Sequence, residues 1–105
     1  MIIISEQDNE KEIAVGCGGR FEIEMEQTGG TGYAWHITDL NNDYIRLLGE
    51  ETRPMSEGAV GRPVKKIWRF ETLKSGTTHI VMKNYRVWEG ADRAIGTFSV
   101  TLLIR

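Results

Sequence analysis

The amino-acid sequence predicts an all-β fold, an antiparallel β-sandwich of about seven short strands. Three observations carry that prediction. Apolar and polar residues alternate in one run after another, and turn-forming residues interrupt the runs at short intervals. No stretch shows helical periodicity bounded by caps. The 105 residues suffice for one domain, expected to span 1–105, with a core that needs neither metal nor crosslink.

The elements follow in order. The opening MIII gives way at once to SEQDNEKE, which leaves an apolar run too short for a signal peptide or a membrane span. A cytoplasmic location is expected, or a periplasmic or secreted one if an export signal has been removed; no membrane partner is expected. GCGG at 16–19 makes the first turn. In RFEIEME, Phe21, Ile23 and Met25 point one way and Glu22, Glu24 and Glu26 the other, a half-buried strand with a solvated acidic face. TGGTG at 28–32 breaks the chain again, and Tyr33, Trp35 and Ile37 form the apolar side of YAWHIT. DLNND at 39–43 and the segment from Pro54 to Pro63 are the next breaks, and Trp68 and Phe70 point inward from IWRFETL. KSG at 74–76 precedes THIVMKNY, whose apolar residues fall on both faces and leave its register open. After EGAD at 89–92, TFSVTLLIR closes the chain with Phe98, Val100 and Leu102 in phase.

Direction adds a functional hint. If successive strands run up and down, alternate turns fall at opposite ends. GCGG, DLNND and KSG then share one end, while TGGTG, the 54–63 loop and the segment after Tyr85 share the other. The second end holds most of the loop glycine, both prolines and Trp88, which sits at a strand exit where a large aromatic is partly exposed. Exposed aromatics on loops held by a rigid scaffold mark binding sites.

Chemistry of other kinds finds little support. Cys17, His36 and His79 are the thiol and imidazoles of the chain, and nothing in their spacing brings a nucleophile to a base. With one cysteine there is no internal disulfide, and no metal-ligand spacing is present. TGGTG precedes a strand rather than a helix and carries no lysine, so it is not a phosphate cradle. No cofactor is expected and the protein is read as a non-enzyme. Thirteen basic against 15 acidic residues, a formal charge of −2, argue against nucleic acid as a partner. Arg62, Lys65, Lys66 and Arg69 read as solvated surface.

Three segments, in order and rough spacing, resemble a known family. They are Thr28-Gly29-Gly30-Thr31-Gly32-Tyr33-Ala34-Trp35, then Gly58-Ala59-Val60-Gly61, then Arg86-Val87-Trp88-Glu89. They are similar to the recognition loops of the chagasin-like inhibitors of papain-family cysteine proteases, which typically read N-P-T-T-G-(Y/F)-x-W, G-x-G-G and R-P-W. The similarity covers roughly residues 10–105, and TGYAW and RVW are its most specific parts. It implies an immunoglobulin-like sandwich with three recognition loops at one end, in agreement with the turn counting. It also implies reversible, non-covalent inhibition, with the loops wedged into the cleft of a papain-like cysteine protease; a monomer is expected.

On that resemblance the protease-binding residues are Thr28, Gly29, Gly30, Thr31, Gly32, Tyr33, Gly58, Ala59, Val60, Gly61, Arg86, Val87 and Trp88. The glycines would let backbone approach closely, Thr31 would offer a hydroxyl near the catalytic centre, and Trp88 would be the apolar anchor. Arg86 would contact the enzyme or brace its loop. Where the family has Asn-Pro, the chain has Thr28-Gly29; Val60 replaces a glycine and Val87 a proline. Fewer prolines and one more glycine raise the ordering entropy that binding must overcome. The residues alone also fit an immunoglobulin-like protein- or carbohydrate-binding module that inhibits nothing.

Overall fold

The computed structural model describes residues 1–55 and 63–105. Eight strands run through them: β1 (Ile2–Ile4), β2 (Glu12–Val15), β3 (Arg20–Thr28), β4 (Ala34–Leu40), β5 (Ile45–Pro54), β6 (Pro63–Thr72), β7 (Gly76–Tyr85) and β8 (Gly96–Ile104). They form two four-stranded sheets, ordered β1-β3-β6-β5 and β2-β8-β7-β4. The sandwich is of the predicted class, with eight strands where about seven are expected, and two short ones that no alternation marks lie at its edges. β1 lies parallel to β3, and β2 lies parallel to β8. The chain starts in one sheet and crosses to the other through a 3-10 turn at Glu6–Asp8, closed by Ser5 N–H donating to Asp8 Oδ2 at 3.0 Å. Segments of three and four residues are too short to display an alternation of their own.

Side chains at every second position fill the space between the sheets. Phe21, Ile23 and Met25 come from β3, Trp68 and Phe70 from β6, Ile80 and Met82 from β7, and Phe98, Val100 and Leu102 from β8. Phe21 and Phe70, paired across strands, stack with ring centroids 5.1 Å apart. The register left open in THIVMKNY is settled by packing, which buries Thr78, Ile80 and Met82.

The outer face of the first sheet departs from expectation. Its acidic and basic residues pair with one another across strands instead of standing separately in water. Arg69 donates to Glu22 at 2.8 Å and to Glu51 at 2.7 Å, Lys65 lies 3.3 Å from Glu24, and Arg53 pairs with Glu51. Arg46 meets Glu71 at 2.9 Å. The β3–β6 register sets Glu22 opposite Arg69, so the pairing is a consequence of strand alignment. Ile67 is fully buried on this charged face, in register with Glu24 and Glu51 and flanked along β6 by Lys65 and Arg69. The aliphatic stems of such side chains shield it while their charged ends meet above. Arg62 lies outside the described residues.

The strand directions place the turns. Thr28 pairs with Pro63, Pro54 with Val64, Ala34 with Tyr85 and Asn84 with Gly96, so the connections after β3, β5 and β7 leave from one end. At the other end Thr72 Oγ1 donates to Gly16 O at 2.7 Å and accepts from Gly19 N–H at 3.1 Å, joining the GCGG turn to the end of β6. Cys17 is exposed there, its N–H donating to Arg105 O at 2.7 Å.

Candidate functional site: a ridge of two joined loops

The first loop, residues 29–33, stands on a clamp between the sheets. Trp35 is the second residue of β4 in one sheet, yet its indole Nε1–H donates to Glu26 O at 3.1 Å on β3 of the other. Its backbone N–H donates to Gln27 Oε1 at 3.0 Å. Trp35 is buried, so these bonds are shielded and fix the loop's two stems together. Gln27 escaped the sequence reading because its role depends on which strand lies opposite.

Within the loop Gly30 and Gly32 take φ of 83° and 84°, left-handed conformations in which a side chain is strained. Thr31 sits between them and closes the loop on itself. Its Oγ1 donates to Thr28 O at 3.2 Å and accepts from Tyr33 N–H at 3.2 Å. The hydroxyl expected to face a partner is thus already engaged inside the loop, with one lone pair left over. Tyr33 also differs from expectation. It is in phase with Trp35, but β4 starts at Ala34 and Tyr33 stays half-buried, outside the core cluster.

The third loop leaves β7 at Tyr85. Glu89 and Gly90 N–H groups both donate to Arg86 O, at 2.9 and 3.0 Å, forming a tight turn with Val87 and Trp88 at its tip. A 3-10 turn at Ala91–Arg93 follows, and Ile95 N–H returns to Asn84 O at 2.8 Å. Val87 and Trp88 are among the most exposed apolar side chains described, at 70% and 73%.

Arg86 joins the two loops. Its Nε–H donates to Thr31 O at 2.9 Å, and its guanidinium lies 4.3 Å from the centre of the Tyr33 ring. The same group is 5.8 Å from the Trp88 ring and 3.9 Å from Glu89 Oε1. A planar cation near aromatic rings is attracted to their π-faces, most strongly here to that of Tyr33, and the Glu89 carboxylate offsets its charge. Glu89 was legible in the sequence as a carboxylate three residues after an arginine. Trp88 in turn rests on Gly32, where an added Cβ would lie 3.0 Å from Cζ2 and closer still to Cη2 of the indole.

The described residues therefore bring together Thr28, Gly29, Gly30, Thr31, Gly32, Tyr33, Arg86, Val87 and Trp88. Gly58, Ala59, Val60 and Gly61 lie outside them. What is seen of that second loop is its stem, where Met55 N–H donates to Pro63 O at 3.4 Å beside the Thr28–Pro63 pair. His79 instead bonds to Asp39 at 3.0 Å, and His36 packs on Tyr85 with ring centres 4.5 Å apart. Among the described residues no group of three His, Cys, Asp or Glu side chains could hold a metal ion. The described part of the site offers a narrow backbone crest with an aromatic beside it.

Comparison with known proteins agrees. The model of the family described as "Chagasin family peptidase inhibitor I42" matches residues 14–102. Amoebiasin-2 of Entamoeba histolytica is 28% identical over 109 residues, which cover 98% of this chain and 85% of that protein. The crystal structure of the cysteine protease inhibitor EhICP2 from Entamoeba histolytica matches with a TM-score of 0.87 at 25% identity, over 99% of this chain and 95% of that one. The fold is shared with PbICP-C, solved in complex with falcipain-2, at a TM-score of 0.72 and 15% identity over 98% of this chain and 89% of that one.

Proposed function

The chain belongs to the chagasin family of peptidase inhibitors, and from that premise we propose that the ridge built by its first and third loops enters the active-site cleft of the target. The protein is a reversible, non-covalent inhibitor of papain-like cysteine proteases, not an enzyme. Membership of this family sets aside the other reading of the sequence, a binding module without inhibitory activity.

One observation carries the proposed mode of binding: Arg86 holds Thr31 O by hydrogen bond while lying against both Tyr33 and Trp88. Two loops far apart in sequence thus form one preassembled crest before any partner arrives. Preassembly lowers the ordering cost of docking, and it offsets the prolines that relatives use at the positions of Gly29 and Val87. The crest is slim where Gly30 and Gly32 carry no side chain, so backbone can come close to a thiolate and imidazole. Cleavage requires a carbonyl carbon in line with the attacking sulfur, and a loop crossing the cleft without that alignment blocks it intact. Gly58, Ala59, Val60 and Gly61 of the second loop are assigned to the cleft's other wall.

The test is a titration of the protein against papain and a cathepsin L-like enzyme, following hydrolysis of a small fluorogenic substrate. Stoichiometric loss of activity that returns on dilution is expected. Full activity across several such enzymes at tens of micromolar inhibitor would refute the reading.

A further inference from the structure

Apart from Met1, the three most exposed large apolar side chains among the described residues belong to one loop: Trp88, Val87 and Ile95, the last at 63%. Scattered exposed apolar residues are ordinary on a protein surface, but their concentration on one loop at the binding end marks a surface that becomes covered. Trp88 already has a place in the crest. Ile95 lies outside the motif and has no such place, and Val87 makes no contact that ties it to the first loop among those described.

Both residues are presented on ordered backbone. Ile95 N–H is bonded to Asn84 O at 2.8 Å, and the next residue, Gly96, pairs with Asn84 beneath Trp35, where an added Cβ would lie 3.3 Å from Cη2. Val87 sits in the turn closed by the two hydrogen bonds to Arg86 O. β-branched side chains have few rotamers to lose, so covering them costs little entropy. The charges around them cancel. Arg86 faces Glu89, and Asp92 and Arg93 alternate in sign on the 3-10 turn. A surface without net charge recognises an apolar partner rather than an acidic or basic one.

We propose that Val87 and Ile95 extend the Trp88 contact onto an apolar wall of the protease beside its active-site cleft, and that this contact sets which papain-like enzymes are bound tightly. The inference rests on the inhibitor reading and specifies the third loop's share of it. Val87 precedes Trp88 in the turn at the loop's tip and Ile95 closes the same loop at Asn84, so the protease that receives the crest is the occupant within reach.

The experiment measures inhibition constants and dissociation rates of Val87→Ser, Ile95→Ser and the double variant. Papain and a cathepsin L-like protease serve as targets at low and high salt, with Trp88→Ala alongside. Each single substitution should raise Ki about five- to tenfold, the effect of uncovering a partly buried aliphatic group. The rise should appear in dissociation, persist at high salt, and in the double variant change the ratio of Ki between the two enzymes. Ki within twofold of the parent for Val87→Ser and Ile95→Ser, with Trp88→Ala still impaired, overturns this inference and leaves the inhibitor reading standing. Absence of inhibition by the unaltered protein removes both. Sedimentation showing a dimer of the inhibitor alone, dissociated by Ile95→Ser, would assign the patch to self-association and overturn the inference as well. If Ile95→Ser lowers thermal stability, Ile95→Thr keeps the branched shape and isolates the loss of apolar surface.

Discussion

The indole of Trp88 lies directly on Gly32, in the space that any other residue's Cβ would occupy. The glycine is therefore needed twice, for its φ of 84° and for the seat it leaves to the ring. First and third loops meet through this contact as well as through Arg86. The consequences for mutation differ from those of a flexible loop beside an independent anchor.

Gly32→Ala should displace the Trp88 ring and strain the first loop, the left-handed backbone alone costing about 1–2 kcal/mol. Inhibition should weaken by about tenfold or more. A double-mutant cycle with Trp88→Ala checks the cause, because removing the ring removes the collision and the two effects become sub-additive. Simple additivity would mean that the contact plays no part in binding.

Trp88→Ala should weaken binding by about 2–4 kcal/mol, the scale of an interfacial aromatic anchor. Thermal stability should hardly change, since the side chain is 73% exposed. The inhibition constant and a melting curve check both halves. An unaltered inhibition constant would confine Trp88 to the intramolecular contact.

Arg86→Lys keeps the charge but loses the planar group that bonds Thr31 O and lies against two rings. The first loop should loosen, with faster amide exchange at Gly32 and Tyr33 and binding weaker by about 1–2 kcal/mol. Exchange rates equal to those of the parent would mean that the tie to Thr31 O does not order the loop.

Gly30 and Gly32 use left-handed φ, whereas Gly29 is not among the glycines of positive φ. Gly29→Pro should therefore tighten inhibition through a stiffer unbound loop, by about 0.4–1 kcal/mol, while Gly30→Ala should weaken it. Inhibition constants for the pair decide the matter. Weaker binding by an intact Gly29→Pro fold would show that the glycine's freedom is used on docking.

Glu51 provides a pH dependence. Its hydrogen bond from Arg53, then that from Arg69, hold its carboxyl at about 2, below the ordinary 4.5. A depressed folded-state pKa contributes stability that is fully present above the ordinary value and is lost as pH falls from about 4.5 toward 2. Glu51→Gln should lower the melting temperature most above pH 4.5 and progressively less toward pH 2. Melting curves across that range test it; the group is exposed and screened by water, so a small effect is expected.

The sequence determined the longer alternating strands and the end of the sandwich at which the first and third loops gather. Alternation of Phe21, Ile23 and Met25 against Glu22, Glu24 and Glu26 is local, because a strand's side chains change face at each residue. Turn order then follows from counting, which placed TGGTG and the segment after Tyr85 together without reference to any relative. The motif at Thr28–Trp35 and the Arg86-Val87-Trp88 triplet were likewise legible as short patterns.

What only the tertiary structure decided are relations between residues distant along the chain. Tyr33 shares the phase of Trp35, but it stops outside the core because Arg86 lies against its ring and β4 begins one residue later. The pairing of Glu22 with Arg69 depends on strand register, which no single segment encodes. Trp88 could be read as an exposed aromatic, and Gly32 as a turn residue. Their contact arises only when two sheets bring two loops to one end, where the absence of one Cβ makes room for an indole.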